Sequence, residues 1–516
     1  MEALKVKEIA EAVGGVILWG DENTLITSVG INSKNMEADS LFVPIVGERV
    51  DAHDYIEDAF RSGAAACFTS RHKVSDSTAL KGNHNIPVEN KVFIGVEDTL
   101  KALQALAVFY RSRFNIPVIG ITGSVGKTTT KEMVAAALGT RYNVLKTEGN
   151  MNSQVGLPLM MLRLDSSHEI AVIEMGMSEE GEMAKLTKIA KPEAAIMTNI
   201  GVSHIAQLKT RENIRKEKLN IINAFGEKSV LFINGNDDML SKLYKTDRNA
   251  SVCLDLSEET RSRYLNTEVA AFGTEAFCDY RAEDIRTVNG ETHFILRKKP
   301  DRKYPEAAQD SKSEYDNRNK SSKDNSFDGE EIVLQVLGMH NVFNALAALA
   351  IAEHYHIPVS IAKEGLRKYQ PIAMRGQIKE VNGMKIIDDS YNASPDSIKS
   401  GIHVLLELDG IKRRIAVLAD VFELGEMSVQ CHYDIGTYIT GQKIDEVVTI
   451  GTEASHIARA IRDKNSGIPT HSFMKNEDAV DYLLNHLKAG DGILVKGSRG
   501  MKTDEIVKAI CEEIKR

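Results

Sequence analysis

Cysteine is scarce in this chain and poorly placed for pairing. Its five cysteines, Cys67, Cys253, Cys278, Cys431 and Cys511, lie far apart with no C-x-x-C pair. That excludes a disulfide framework and gives no sign of a zinc site, leaving reduced thiols. Positive charge is not in excess either. A formal net charge of −9 offers no broad cationic face, so nucleic acid is not an expected partner. No uninterrupted apolar run approaches the roughly 20 residues of a membrane span. The opening stretch MEALKVKEIAEAVGG has acids where a signal peptide would have its apolar core. The expectation is a cytoplasmic protein.

What the chain does have is length and rhythm. Its 516 residues exceed what one core can organise and suggest three units. A composition of 42% hydrophobic and 27% charged residues is that of an ordinary globular protein. The first hundred residues mix short apolar runs (SLFVPIVG, AAACFTS) with the helical pattern YIEDAFRSGA, which reads as a small α/β unit. The strand-like segments IPVIGITG, EIAVIEMG, AAIMTNIG and SVLFING then alternate with helical ones, predicting a parallel sheet covered on both faces. After the alanine-rich NVFNALAALAIAEHY, a second doubly wound pattern follows in KIIDDSYN, RRIAVLADV, EVVTIG and DGILVKGS. The fold class is therefore α/β in three parts: a small unit over 1–98, a central P-loop ATPase-like doubly wound domain over 99–369, and a C-terminal Rossmann-like domain over 370–516. Residues 297–331 contain no valine, isoleucine, leucine or methionine and carry dense charge of both signs. They read as an exposed insertion on a loop or hairpin, unable to bury a core.

The segment VIGITGSVGKTTTKEM carries the first chemistry. The usual phosphate-loop pattern needs a glycine five positions before Gly126, where Ile121 stands, so the loop is shortened to G-x-x-G-K-T. Gly123 and Gly126 let the backbone N–H groups of Ser124, Val125 and their neighbours curl around an anion, and the next helix offers its N-terminus, from Lys127 to Thr129, to the same anion. Lys127 reaches β- and γ-phosphates, and the Thr128 hydroxyl suits Mg²⁺. No N-K-x-D guanine signature occurs, so ATP is favoured over GTP. Glu174 ends the apolar strand of AVIEMGM, a position where a carboxylate needs a cation such as Mg²⁺. Asn199 and His204 follow the next strand end, where ligands bind in such sheets.

Together, TGSVGKTTT, TEGNMNSQVGLP, EMGM, TNIGVSH and LGMHNVFNALAA resemble the ATP-dependent Mur ligases of peptidoglycan synthesis, whose loop is shortened in this way. The segments MRGQ, IIDDSYNASPDSIKS, VLADVFELGEMS and LVKGSRGM resemble the branch that adds a dipeptide, and INSK, LFVPIVGERVDAHDYI and SGAAACF look like its N-terminal substrate domain. The resemblance implies the substrates UDP-N-acetylmuramoyl-tripeptide and D-alanyl-D-alanine, joined after ATP converts a carboxylate to an acyl phosphate. It implies two Mg²⁺ sites, one at Thr128 and Glu174 and one near His204. The second is supported by a carbamylated lysine, aligned to Lys218 in ENIRKEKLNII, with Lys216 as competitor and Arg215 excluded because a guanidinium offers no free amine. His340, Asn341 and Asn344 would lie by the nucleotide, with Arg375 and Asp389 completing the ATP site from the third domain. Ser33, Arg49 and Asp51 would hold the nucleotide sugar. Asn150, Asn152, Asn392, Ser394, Lys496, Ser498 and Arg499 would face the peptide substrates, with Tyr391 and Pro395 beside them. Two departures fall in the N-terminal part: Asn32-Ser33-Lys34 stands for D-S-R, and Ala52 replaces a glycine. A monomer is expected. Two rival readings are a folylpolyglutamate synthetase-like ligase, for which the N-terminal unit would have no use, and a non-catalytic module that hydrolyses ATP to change shape.

Overall fold

The computed structural model describes residues 1–70, 90–245, 256–299 and 329–513. Cys253 and most of the charged insertion lie outside the described residues.

Three large sheets organise the chain, beside a two-stranded pair of Leu4–Lys5 with Leu25–Ile26. The N-terminal sheet runs in the order Val16–Trp19, Val92–Val96, Ala64–Ser70, Ser40–Phe42, Ser28–Gly30, antiparallel only at its first pair. The C-terminal sheet pairs Gln377–Val381 antiparallel to Met384–Asp388. It continues in parallel through Asp491–Lys496, Arg413–Ala419, Glu446–Ile450 and Thr470–Phe473.

The central sheet has nine strands. Val118–Thr122, five residues long and wholly buried, has Ile170–Glu174 on one side and Ala194–Met197 on the other, both parallel. The chain thus leaves this strand in opposite directions, the switch point at which open α/β sheets bind ligands beyond their carboxyl ends. Val144–Lys146 closes one edge, and Val230–Asn234, Glu268–Gly273 and Tyr280–Val288 continue in parallel on the other side.

The four strands expected to run in parallel do so, and past Tyr280–Val288 the sheet turns antiparallel. Glu291–Lys298 and Glu330–Leu334 complete the sheet in antiparallel fashion. The turn is made by Asn289 (φ 52°) and Gly290 (φ 79°), both left-handed as a two-residue hairpin requires. Residues on Glu291–Lys298 alternate between buried and half-buried, the pattern of a sheet covered on one face. The charged insertion connects this strand to Glu330–Leu334.

One apolar core runs without interruption through the N-terminal and central units. Leu103, Leu106 and Ala107 of helix Thr99–Arg111 join Val92 and Ile94 to Leu157, Met160 and Leu186. The other central face is covered by Lys127–Leu138 and by Met339–His354, which is buried at almost every position from Asn341 to Ala352. Its small alanines let it lie close to the sheet. The C-terminal unit has its own cores on its two faces, to which the central unit lends only Leu337 and the half-buried Val202.

Candidate active site

The shortened loop takes its shape from the strand beside it. Thr198 donates its hydroxyl to the Val125 carbonyl at 2.5 Å, while Ser124 and Val125 donate their N–H groups to the Asn199 carbonyl (3.0 Å) and side-chain oxygen (2.8 Å). A Cβ on Gly123 would lie 1.9 Å from Thr198 Oγ1, and Gly126 has φ 86°, so neither position accepts a side chain without strain. Lys127 folds back on its own loop, donating to the Gly123 carbonyl at 2.8 Å. Burial lowers its pKa, opposed by Glu174 and reinforced by Arg375. An arginine of the C-terminal domain therefore stands within electrostatic reach of the loop lysine.

A cavity of about 1060 Å³ opens between the central and C-terminal domains. The central domain lines it with residues 124–129, Asn150, Asn152, Glu174, His204, His340, Asn341 and Asn344; the C-terminal domain adds Arg375, Asp389, Asn392, Ser394 and Lys496. Thr130 donates to Asn344 at 2.8 Å and Asn344 to Asn341 at 3.3 Å, tying the loop helix to Met339–His354. Burial pushes the His340 imidazole down to about 4, against the pull of Asp389 and with Lys496 and His403 adding to the depression. Lys496 is 2.5 Å from Asp389 and also donates to the Asn392 carbonyl at 3.1 Å. Arg375 lies 3.9 Å over the Tyr391 ring, a stacking that holds its fork. Ser394 caps helix Pro395–Glu407 by accepting from Ser397 N–H.

Thr128 Oγ1 donates to Glu174 Oε2 at 3.0 Å, and Asn152 donates to the other carboxylate oxygen at 2.7 Å. Two hard oxygen donors side by side on the cavity wall suit Mg²⁺, which takes few protein ligands alongside phosphate oxygens. The second expected site is less complete. His204 faces the cavity, whereas Lys218 lies beneath the loop, 1% exposed, donating to the Gly123 carbonyl at 3.2 Å. Burial, and then the neighbouring Lys127, hold its amine well below its usual pKa. Lys216 is only half-buried. Among the described residues no cluster of three or more His, Cys, Asp or Glu side chains forms a metal site.

Several expected substrate residues lie away from this cavity. Ser33, Arg49 and Asp51 belong to the N-terminal unit and do not line it. Asp51 instead caps a short turn through the His53 N–H (3.0 Å) and holds the His53 ring at 2.6 Å. Ser498 and Arg499 do not line it either: Ser498 accepts from Phe422 N–H at 2.8 Å, and Arg499 pairs with Asp504 at 3.1 Å. Conversely, Thr198 and Glu423 were not singled out from the sequence. Both follow the ends of buried parallel strands, which is the signal that could have found them. Glu423 lies 2.8 Å from His204 across the domain boundary, and this contact holds its carboxyl below the usual range.

A phosphate loop at a switch point, roofed by a second α/β domain that contributes an arginine and a lysine, defines a nucleotide-dependent enzyme of the multidomain ligase class. Three family models match successive parts of the sequence: Mur ligase family, catalytic domain, over 25–111; Mur ligase middle domain over 121–352; and Mur ligase, glutamate ligase domain, over 374–499. The chain belongs to the Mur ligase family. It is 36% identical to UDP-N-acetylmuramoyl-tripeptide--D-alanyl-D-alanine ligase of Bacillus subtilis (strain 168), over 98% of both chains. Its fold matches a crystal structure of MurF from Acinetobacter baumannii with a TM-score of 0.80 and 25% identity over 99% of both chains. It also matches MurF ligase from Thermotoga maritima in complex with ADP, with a TM-score of 0.72 and 26% identity over 94% of this chain and 97% of that one.

Proposed function

We propose that this chain is an ATP-dependent ligase that joins D-alanyl-D-alanine to UDP-N-acetylmuramoyl-tripeptide, in the cytoplasmic stage of peptidoglycan synthesis. The observation that carries the reading is one cavity lined both by the phosphate loop with Glu174 and by Arg375, Asp389 and Lys496 of the C-terminal domain. Such a cavity brings a nucleotide and an acceptor together.

A carboxylate has no adequate leaving group, so amide formation needs activation. The tripeptide carboxylate oxygen attacks the γ-phosphorus and ADP leaves. The dipeptide amine then attacks the acyl carbon, inorganic phosphate departs with the bonding pair, and the amine's proton passes to solvent. Negative charge gathers on the γ-phosphoryl group and its acceptor, and preorganised cations lower that barrier most. Lys127 and the loop N–H groups hold the β- and γ-phosphates, and the planar fork of Arg375 clamps the γ-phosphate. Mg²⁺ at Thr128 and Glu174 would neutralise phosphate charge when bound. Asn341 and Asn344 hold the nucleotide end, with Asp389 opposite. Asn150, Asn152, Asn392, Ser394 and Lys496 meet the peptide substrates, and Ser33, Arg49 and Asp51 bind the nucleotide sugar in a domain spanning 1–98. One chain supplies every group named, so a monomer suffices.

Lys218 serves as a carbamate. Its depressed basicity favours the neutral amine that adds CO₂, and the product exchanges a buried cation beside Lys127 for an anion. A carboxylate-like group there, with His204, would suit a second Mg²⁺. Activity should then depend on bicarbonate once CO₂ is stripped from the buffer, with Lys218→Ala nearly inactive and Lys216→Ala nearly normal. The decisive assay is ADP release with UDP-N-acetylmuramoyl-tripeptide, with and without D-alanyl-D-alanine. Release that does not require both substrates would sink the ligase reading.

A further inference from the structure

The segment from Asp420 to Leu424 leaves the C-terminal strand Arg413–Ala419 and reaches the central domain. Its own domain holds it from three sides. Asp420 Oδ1 accepts from Ala454 N–H at 2.7 Å, the buried His432 Nε2 accepts from Val421 N–H at 3.0 Å, and the Ser498 hydroxyl accepts from Phe422 N–H at 2.8 Å. His432 is in turn fixed by its Nδ1 on the Ser428 carbonyl at 2.7 Å. Thus braced, Glu423 is left with φ 65°, a left-handed conformation that a non-glycine residue keeps only when its surroundings impose it. Opposite it, His204 has φ 63°.

Between these two residues the domains meet. Glu423 Oε2 lies 2.8 Å from His204 Nδ1, and the Glu423 carbonyl accepts from Ala206 N–H at 3.3 Å. Nδ1 is buried and makes no hydrogen bond among the described residues, so the Glu423 carboxylate stands against it as a close charged neighbour. Which nitrogen of a neutral imidazole carries the proton is set by the bond the other nitrogen makes. A carboxylate oxygen 2.8 Å from Nδ1 repels a lone pair there, which favours the Nδ1–H form and leaves Nε2 as the lone-pair nitrogen of a residue that lines the cavity.

We propose that Glu423 is a positioning residue that couples docking of the C-terminal domain to the orientation and tautomer of His204. The inference rests on the reading that His204 serves the ligase reaction. Undocked, the central domain loses the carboxylate and His204 loses its fixed form; docked, both return together. The information travels through one side chain rather than through the cavity contents.

The test uses the full chain labelled with ¹⁵N-histidine, the His204 signal being assigned by its loss in His204→Asn. Two-bond nitrogen–proton correlations should show the Nδ1–H form in the unsubstituted protein and the Nε2–H form in Glu423→Ala. By analogy with partners that orient ligating histidines, kcat for ADP release should fall about 10- to 100-fold. KM for ATP should stay within about twofold. Glu423→Gln keeps an acceptor oxygen at nearly the same place and should restore both the tautomer and most of kcat. Glu423→Ala with an unchanged tautomer, or with unchanged kcat, overturns the proposal, as does a Gln variant no better than Ala. If the unsubstituted protein releases no ADP with both substrates, the ligase reading fails, and the tautomer comparison alone still decides the role of Glu423.

Discussion

The chain crosses two domain junctions built from opposite materials. Between the N-terminal and central units, helix Thr99–Arg111 packs against Val6–Val13 on one side and against Gly156–Met161 and Glu182–Ala190 on the other, within a single apolar core. Between the central and C-terminal units lie a cavity, a small apolar contact through Leu337 and Val202, and polar ties: Gly338 N–H to Glu407 at 3.1 Å, Ala206 N–H to the Glu423 carbonyl, and His204 to Glu423. Apolar burial is non-directional and strong per area, so the first junction behaves as a continuation of a core. Polar ties across a cavity exchange readily with water, so the second can open and close. The proposed site lies at this second junction, which would let a ligase admit two substrates and then exclude water from the acyl phosphate.

The sharpest way to break this comparison is to damage the apolar junction. Leu106 is fully buried, and Leu106→Ala should cost about 2–5 kcal/mol of stability. Trp19, the chain's one tryptophan, lies in the N-terminal sheet and reports on that unit by fluorescence. A shared core requires the Trp19 transition and the far-ultraviolet transition to move down together in denaturant; a shift in one alone would mean the two units are not one body. Next in size, Lys127→Ala should slow ADP release by at least about 10²-fold, with a melting temperature near that of the parent. Near-normal turnover from a folded Lys127→Ala variant would remove the phosphate loop from the reaction.

Gly201→Ala probes the polar junction without touching a reacting group. A Cβ there would come 2.5 Å from Asp396 Oδ2 of the C-terminal domain. Imperfect docking should cost about 10-fold in kcat, while stability stays within about 0.5 kcal/mol. Small-angle scattering with an ATP analogue should show a more extended particle than the parent, and an identical profile would deny that this contact governs closure. The last effect concerns acid. His340 titrates in the folded chain at about 4 and ordinarily at 6.5, so between those values the unfolded state binds more protons. Stability is complete above about 6.5 and declines as pH falls towards 4. Protonation would also set His340 against Lys496 and His403 of the other domain. Melting curves from pH 7.5 to 4.5 should fall less steeply for His340→Gln; equal slopes would count against it.

Much of this site could be read from the sequence, for a physical reason. Buried parallel strands are continuous apolar runs, and the polar residues that interrupt them at their carboxyl ends are conspicuous. Glu174, His204, Asp389 and Lys496 all announce themselves in this way and all line the cavity. What stayed hidden depends on pairings between distant segments. Nothing local in VFELGEM says that Glu423 meets His204, or that Ser498 braces Phe422. The Thr198 hydroxyl reads as an ordinary strand-end polar group until its loop partner is seen. The antiparallel extension did leave a local mark in Asn289-Gly290, but that mark gives a hairpin without saying which sheet it joins.

The outermost strand of the central sheet has a consequence of its own. Among the described residues Glu330–Leu334 pairs on one side only, and an edge of that kind is a template for other chains to join. Its acids are already engaged, Glu331 with Arg286 at 2.6 Å and Glu330 with Lys363 at 2.9 Å. An incoming strand would have to displace these ion pairs, which defends the edge against aggregation. The same strand is zipped to its neighbour from Thr292 opposite Leu334 to Leu296 opposite Glu330, whatever connects them. Five strands of the same sheet separate this rim from Val118–Thr122, so a reporter or affinity handle joined there would lie remote from the proposed site.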